Sequence, residues 1–487
     1  MLFSVLKQSN WLSHRIIYAL AVCVALASTT HVHAELEPLR AEDGVIRDAR
    51  GATVILRGLN LTGDAKIPPS RGIHDVRELD VLQAWGVNVA RLLFVWEAFE
   101  PQRGRRDDTY LDYYINLVDA LAARHVRVIV DFHQDGFSRY TTQGCGDGFP
   151  QWALSSEVHM YTPDNGTGCT DWGIKMTLDL ETARCWNDFY AGSNGVRADY
   201  LALLDIVSKR LKDHPAVLGY DMLNEPAGDE VAQVGPLYAE AARTLRANDP
   251  DAVLFVSPAA LTSAGLNTAL PRPTFENFVY SPHYYDAAVS QLHSWFGTSL
   301  AAPVRVMVDQ AKAWNVPLFV GEFGAPSDGL RVEQYMDEFY AQLDASFVSG
   351  AQWNFTPHWS ERKKDGWNDE NFSIVDGTGK LMSTYRVRPY PARIAGEAVA
   401  FSASQWTGNS LELVWKHDPA VGETRVFAPL SALFGGRLVI DTSDDVHCAY
   451  EADLLYLRCT AESAGLKRLR LQPCLASVAS STCTTGN

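Results

Sequence analysis

The sequence predicts an α/β protein, a (β/α)8 TIM barrel followed by a smaller C-terminal β-sandwich domain. Three observations carry this. Between residues 50 and 357, short β-branched or aromatic runs recur eight times, mostly separated by helix-length amphipathic segments, as in successive βα units. After about residue 395 the pattern changes to short alternating strands with no helix-length segment between them, the spacing of a sandwich. No Gly-rich phosphate loop follows the first run, so nothing favours the competing doubly wound open sheet.

The expected barrel strands are Val54–Leu59, Val87–Leu93, Val126–Asp131, Val217–Leu223, Val253–Ser257, Phe278–His283, Leu318–Gly321 and Ala351–Phe355. Tyr110–Arg124, Tyr200–Leu211 and Val332–Phe347 repeat apolar residues every three or four positions, as helices packed on a barrel do. The sandwich strands are expected at Leu411–Trp415, Thr424–Phe427, Leu438–Ile440 and Leu454–Leu457. The implied organisation is a leader at 1–34, a barrel over 35–395 with an insertion at 136–197, and a sandwich over 396–487.

The chain has 487 residues, 47% apolar and 21% charged, enough for a full core and too apolar for disorder. Its formal net charge is -16, and without Lys7 and Arg15, the only strongly charged residues of the first 34, it falls by two more. Such a surface repels nucleic acid and anionic membrane faces and points to a substrate that is neutral or whose charge lies away from the contact. Lys7 and Arg15 precede the apolar run Ile16 to Ala27, and Val32-His33-Ala34 offers the small residues of a cleavage site. A signal peptide cut after Ala34 is expected, and with it a secreted or periplasmic protein. The apolar run is too short for a membrane span, which needs about 20 residues.

Seven cysteines then remain in a compartment that permits disulfides. Cys448 and Cys459 flank a hairpin-like stretch, and Cys474 and Cys483 are placed to staple the tail. Cys145, Cys169 and Cys185 share one insertion, which allows one further pair and leaves one thiol over. Zinc is the alternative for these three, but none has C-x-x-C spacing.

Functional side chains of an eightfold barrel sit where strands end. There strand two gives Arg91, strand three His133 with Asp135, strand four Asn224-Glu225-Pro226, strand six His283 and Tyr285, strand seven Glu322 and strand eight Trp353. Individually these have structural readings: Arg91 as an ion-pair partner, the histidines as satisfied barrel residues, Trp353 as core. Their succession along six strands is what those readings leave unexplained. Two carboxyls facing each other across a barrel mouth are the requirement for glycosidic cleavage, one as proton donor and one as nucleophile.

These residues resemble glycoside hydrolase family 5 over most of 45–390, through Arg91, His133, Asn224-Glu225-Pro226, His283-Tyr284-Tyr285, Gly321-Glu322-Phe323-Gly324 and Trp353. The resemblance implies Glu225 as acid/base, Glu322 as nucleophile, the other positions around the sugar nearest the cleaved bond, and no metal or organic cofactor. Within the family, Asp131-Phe132-His133-Gln134-Asp135 with Ser138-Arg139, and Trp367-Asn368-Asp369-Glu370-Asn371-Phe372-Ser373, are similar to the endoglycoceramidase branch and its related glycolipid β-glucosidases. Lys66 stands where those enzymes place a sugar-contacting lysine. This branch implies a glycolipid or oligosaccharide substrate cleaved between glycan and a ceramide-like lipid, with transient contact with a lipid surface. The insertion departs from the pattern, and its Trp152, Trp172 and Trp186 are open to three readings: a wall for a lipid tail, a platform for sugars, or the insertion's own core. A conventional endo-β-glucanase or mannanase is the alternative function, and a non-catalytic carbohydrate- or membrane-binding protein the second.

Overall fold

A computed structural model describes residues 36–404, 409–474 and 483–485; the expected leader lies outside the described residues. The barrel strands, in order, are Arg57–Leu61, Val89–Val95, Arg127–His133, Val217–Asp221, Val253–Val256, Phe278–Tyr280 continuing as His283–Tyr284, Phe319–Phe323 and Ser349–Gln352. All neighbouring pairs are parallel. Strand six is broken at Ser281-Pro282, and both halves meet strand seven: Tyr280 bridges Leu318, and His283 pairs with Glu322. The sheet therefore closes.

Period-two alternation sorts each strand's side chains. On strand three, Val128, Val130 and Phe132 join the core under the helices, while Ile129 joins the barrel interior. On strand two, Ala90, Leu92 and Phe94 pack under the helices and Val89 packs inside. The helices Asp108–Ala122, Val196–Leu211 and Val332–Ala345 fall within a few residues of their sequence-based positions. Asp107 caps the first, accepting from the Thr109 and Tyr110 amides.

The second layer system is a sandwich of a seven-stranded and a five-stranded sheet over a core containing Phe401, Leu413, Trp415, Val426, Leu457 and Leu469. The expected run Val54–Leu59 is two strands: Thr53–Val54 belongs to the seven-stranded sheet and Arg57–Leu61 to the barrel. The same sheet takes the hairpin Leu39–Glu42/Val45–Asp48, turned at Asp43-Gly44, and Tyr390–Ile394. Both ends of the chain thus build the sandwich. Its last hairpin pairs Val446–Glu451 with Tyr456–Ala461, so Leu454 and Leu455 belong to the turn rather than to a strand.

Disulfides join Cys145 to Cys169, Cys448 to Cys459 and Cys474 to Cys483, and Cys185 is a buried free thiol. Two of the three insertion cysteines are thus consumed by a bridge. The insertion is more regular than a loop, with helices at Trp172–Leu178 and Leu180–Ala191. Among the described residues no helix is long and apolar enough to cross a membrane.

Candidate active site

A cavity of about 570 Å³ opens at the C-terminal ends of the barrel strands, within the size range of small-molecule sites. Of the residues singled out in the sequence, Lys66, Asp135, Glu225, Tyr285, Glu322 and Trp353 line it. Arg91, His133, Asn224 and His283 are buried behind them.

Glu225 follows strand four on a backbone with φ of 38°, a conformation a non-glycine residue adopts only when its surroundings impose it. Gln134 supplies part of that imposition: its amide nitrogen donates to the backbone carbonyls of Asn224 (2.7 Å) and Glu225 (3.0 Å). Glu322 reaches the mouth by a different device. Phe319 faces the interior and Val320 the helices, so simple alternation sends residue 322 outward. The register with strand eight shifts between Val320 and Phe323, and such an irregularity re-aims a side chain. One carboxylate oxygen of Glu225 and one of Glu322 come within 4.8 Å of each other, with His283 between the two groups. His283 Nδ1 lies 2.8 Å from Glu225 Oε1 and 3.6 Å from Glu322 Oε2.

The two carboxyls are driven apart electrostatically. Burial pushes Glu225 above the usual glutamate range, reinforced by Glu322 and opposed by the His283 hydrogen bond. Burial would raise Glu322 as well, but the charges of His283, Arg91 and His133 outweigh it and hold the group below its ordinary value. Arg91 Nη1 donates to Glu322 Oε1 at 2.7 Å, and the Tyr285 hydroxyl donates to Oε2 at 2.9 Å.

Arg91 is the third residue of its seven-residue strand rather than its end. Its fully buried guanidinium donates to Glu322, Asn60, Asp131, Asn224 and Asp221, a satisfied network of the kind a buried cation requires. Asn224 is held on both sides: Oδ1 accepts from Arg91, and Nδ2 donates to the Gln134 carbonyl (3.0 Å) and to Asp135 Oδ1 (3.3 Å). His133 Nδ1 donates to Asp131 Oδ2 at 2.7 Å. Burial opposes its charge, yet Asp131 and Asp135 push its pKa up to about 10.

On the far side of the mouth, Lys66 Nζ is 2.6 Å from Asp135 Oδ2 and 3.8 Å from Glu370. It stands over the rings of Trp367 and Trp353, 3.8 and 4.3 Å from their centroids. Glu370, which the sequence places in a resembling stretch without a role, lines the cavity; burial, against the attraction of Lys66, pushes its pKa up to about 8. Trp172 lines the cavity beside Trp367. Trp152 packs on Trp96 and donates to the Glu100 carbonyl. Trp186 is buried against Phe137, Phe149 and Tyr190 but reaches the cavity edge. The three tryptophans therefore differ in use.

Among the described residues, carboxylates and imidazoles near enough to share an ion occur in three groups, Asp131/His133/Glu322, His133/Asp135/Asp147 and Glu225/His283/Glu322. All belong to this same mouth, where Arg91 and Lys66 already supply positive charge.

Residues 48–358 match the family model for cellulase, glycosyl hydrolase family 5. The chain belongs to that family. As a family 5 member it is a glycoside hydrolase. It is 27% identical over 389 residues to endoglycoceramidase I of Rhodococcus hoagii (strain 103S), covering 74% of this chain and 73% of that one. Over 367 residues it is 22% identical to an endoglycoceramidase of Cyanea nozakii, covering 68% of this chain and 70% of that one. Endo-glycoceramidase II from Rhodococcus sp., solved as a lactosyl-enzyme intermediate, superposes with a TM-score of 0.74 at 21% identity, over 89% of this chain and 100% of that one. Sterylglucosidase 1 of Cryptococcus neoformans superposes at 0.73 with 16% identity, over 90% and 98%. These superpositions place barrel and sandwich together in one shared fold.

Proposed function

We propose that this family 5 hydrolase cleaves the β-glycosidic bond between a glycan and a ceramide-like lipid, with retention, using Glu225 as acid/base and Glu322 as nucleophile. The observation that carries the mechanism is the close pair of oppositely perturbed carboxyls. That oxygen separation is in keeping with the about 5–5.5 Å between the carboxyl groups of retaining enzymes and shorter than the about 6.5–9.5 Å of inverting ones. Glu322 attacks the anomeric carbon as the bond to the leaving oxygen breaks; that oxygen takes the bonding pair and the proton of Glu225, and the lipid departs as an alcohol. Glu225, now ionised, deprotonates a water that displaces Glu322 from carbon, releasing the sugar with its original configuration. Lys66, Asp135 and Trp353 are assigned to the sugar, and Arg91, His133, Asn224, His283 and Tyr285 to holding the reacting carboxylates.

The lipid half of the proposal is supported by relatives named endoglycoceramidase and by the polarity of the cavity. Lys66, Asp135, Glu370 and Trp353 line one part, and Ala259, Ala260, Leu261 and Ala264 another. The apolar part is tied to the strand end that carries Glu225, through the Ala260 amide donating to the Pro226 carbonyl. The side that protonates the leaving group is thus the side suited to a lipid. We further propose that residues 1–34 are an export signal, on the charge and apolar pattern described above.

Incubation with a ganglioside, a galactosylated ceramide and a soluble β-glucan, with products identified by mass, tests the substrate. Intact oligosaccharide plus free ceramide is the expected result. Product from the glucan alone overturns the lipid reading and leaves the carboxylate mechanism standing.

A further inference from the structure

We propose that Asp147, in the insertion, is a positioning residue of the sugar site, whose carboxyl bridges Asp135 and His133 and so fixes the oxygen that Asp135 offers to the sugar. The inference rests on the assignment of Asp135 to the sugar made above. Asp147 is 1% exposed and does not line the cavity, yet neither of its carboxyl oxygens has a hydrogen-bond partner among the described residues. His133 Nε2, 3.5 Å from Asp135 Oδ2, is buried in the same condition. One atom from each of His133, Asp135 and Asp147 lies within 4.8 Å of the other two. Unpaired buried polar groups are costly, and contacts that serve a reaction are often long in the free site and tighten when substrate is bound.

The backbone is shaped to deliver this carboxyl. Residues 146–148 read Gly-Asp-Gly, and the Asp147 amide donates to the Asp135 carbonyl at 2.8 Å. A Cβ at 146 would fall 2.4 Å from the Ser138 carbonyl oxygen and 2.7 Å from that of Asp135. One at 148 would fall 2.3 Å from Gln134 Cβ and 2.7 Å from the His133 carbonyl oxygen, and φ there is 101°. Glycine on both sides of Asp147 is what lets the segment press onto residues 133–138. Two asparagines hold it in place: Asn368 donates to the Cys145 carbonyl at 2.8 Å and Asn165 to the Gly146 carbonyl at 3.1 Å.

Charge then decides what the carboxyl does. Burial would raise Asp135, but Lys66 and His133 hold it below the usual range and ionised. Burial and the charge of Asp135 push Asp147 well above that range, against His133 and Lys66. A protonated Asp147 has a hydroxyl to donate and a carbonyl oxygen to accept. Asp135 is the acceptor for the first and the His133 Nε2–H the donor for the second. Asp135, already bonded by Lys66 and Asn224, is thereby held from a third side.

The test is kcat/KM of Asp147→Asn and Asp147→Leu, each made in the parent and in an Asp135→Asn background, with melting temperatures alongside. Asparagine keeps one donor and one acceptor without charge and should stay within about threefold of the parent. Leucine should lose about ten- to a hundredfold in the parent, the loss of a hydrogen bond to a charged group, and no more than about threefold once Asp135 is replaced. An Asn variant as poor as the Leu variant overturns the proposal, as does a Leu variant with full activity. Equal Leu losses in both backgrounds also overturn it, since Asp147 then acts on stability and not through Asp135. Should the Leu variant fail to fold, infrared difference spectra of the parent and the Asn variant at neutral pH decide: the band of one protonated carboxyl should be lost, and an unchanged band region overturns the bridge. Rates are read on detergent-dispersed glucosylceramide. A parent that cleaves only β-glucan refutes the lipid reading, and the same comparison on the glucan still tests Asp147.

Discussion

Replacing His283 with Gln should move both limbs of the pH–activity profile toward alkali. His283 faces both carboxyls, at 2.8 Å from Glu225 and 3.6 Å from Glu322. Under the proposed mechanism the free enzyme is active when Glu225 is protonated and Glu322 ionised, so the acid limb reports Glu322 and the alkaline limb Glu225. The His283 hydrogen bond and charge favour the ionised form of Glu225. A charge-assisted hydrogen bond contributes ~1.5–3 kcal/mol, and 1.36 kcal/mol is one pKa unit, so its loss raises the alkaline limb by ~1–2 units. His283 also heads the charges that hold Glu322 down. At that separation an effective dielectric of ~20–80 gives ~1–5 kcal/mol, so the acid limb rises by ~1 unit or more. The assay is kcat/KM against pH on detergent-dispersed glucosylceramide, with the melting temperature checked at each pH. A profile that moves toward acid, or in which only one limb moves, refutes the placement of His283 between the two carboxyls.

Glu225→Gln should lower kcat/KM by ~10²–10⁴-fold with little change in melting temperature; retention of full activity would exclude it as proton donor. Lys66→Met leaves Asp135 buried without its ion-pair partner, and should cost ~3–5 kcal/mol in denaturant unfolding. Glu370 is protonated up to about pH 8 when folded, against 4.5 for an ordinary glutamate. Its contribution to stability is therefore full below about pH 4.5 and declines as pH rises toward 8, so Glu370→Gln should flatten the fall of melting temperature over that window. Replacing Cys145 and Cys169 together with Ser removes a cross-link spanning 24 residues, worth ~3–4 kcal/mol in the chain-entropy picture. Because Asn368 donates to the Cys145 carbonyl and bonds Asn165, the same variant should loosen the Trp172 wall and raise KM.

The barrel was legible because strands buried on both faces must be apolar nearly throughout, as Val128–Val130 and Val253–Val256 are. Elements shared between layers were not. Nothing in Thr53-Val54-Ile55-Leu56 marks where the chain leaves one sheet for another, since both environments are apolar. The hairpin at 39–48 did carry a signal, Asp43-Gly44 between alternating residues, too short to weigh alone.

At the site, the strand-end rule located the residues that converge, and long side chains blurred it: Arg91 reaches Glu322 from mid-strand. Asp221 and Asn60 escaped notice because they touch Arg91, not the cavity opening, and Asp131, though inside a quoted signature, was given no role for the same reason. Gln134 lay inside a recognised signature, yet its hold on the Asn224-Glu225 turn depends on a contact between residues 90 positions apart. The uses of Trp152, Trp172 and Trp186 depend on how the insertion folds back, which spacing does not encode.

The most direct test of the account is to trap the glycosyl-enzyme. Exposed to a 2-deoxy-2-fluoro-β-glucoside with an activated leaving group, the protein should gain the mass of one fluorosugar, and peptide mapping should place it on Glu322. An adduct on Glu225, or turnover with inversion and no adduct, would contradict the assignment of the two carboxyls.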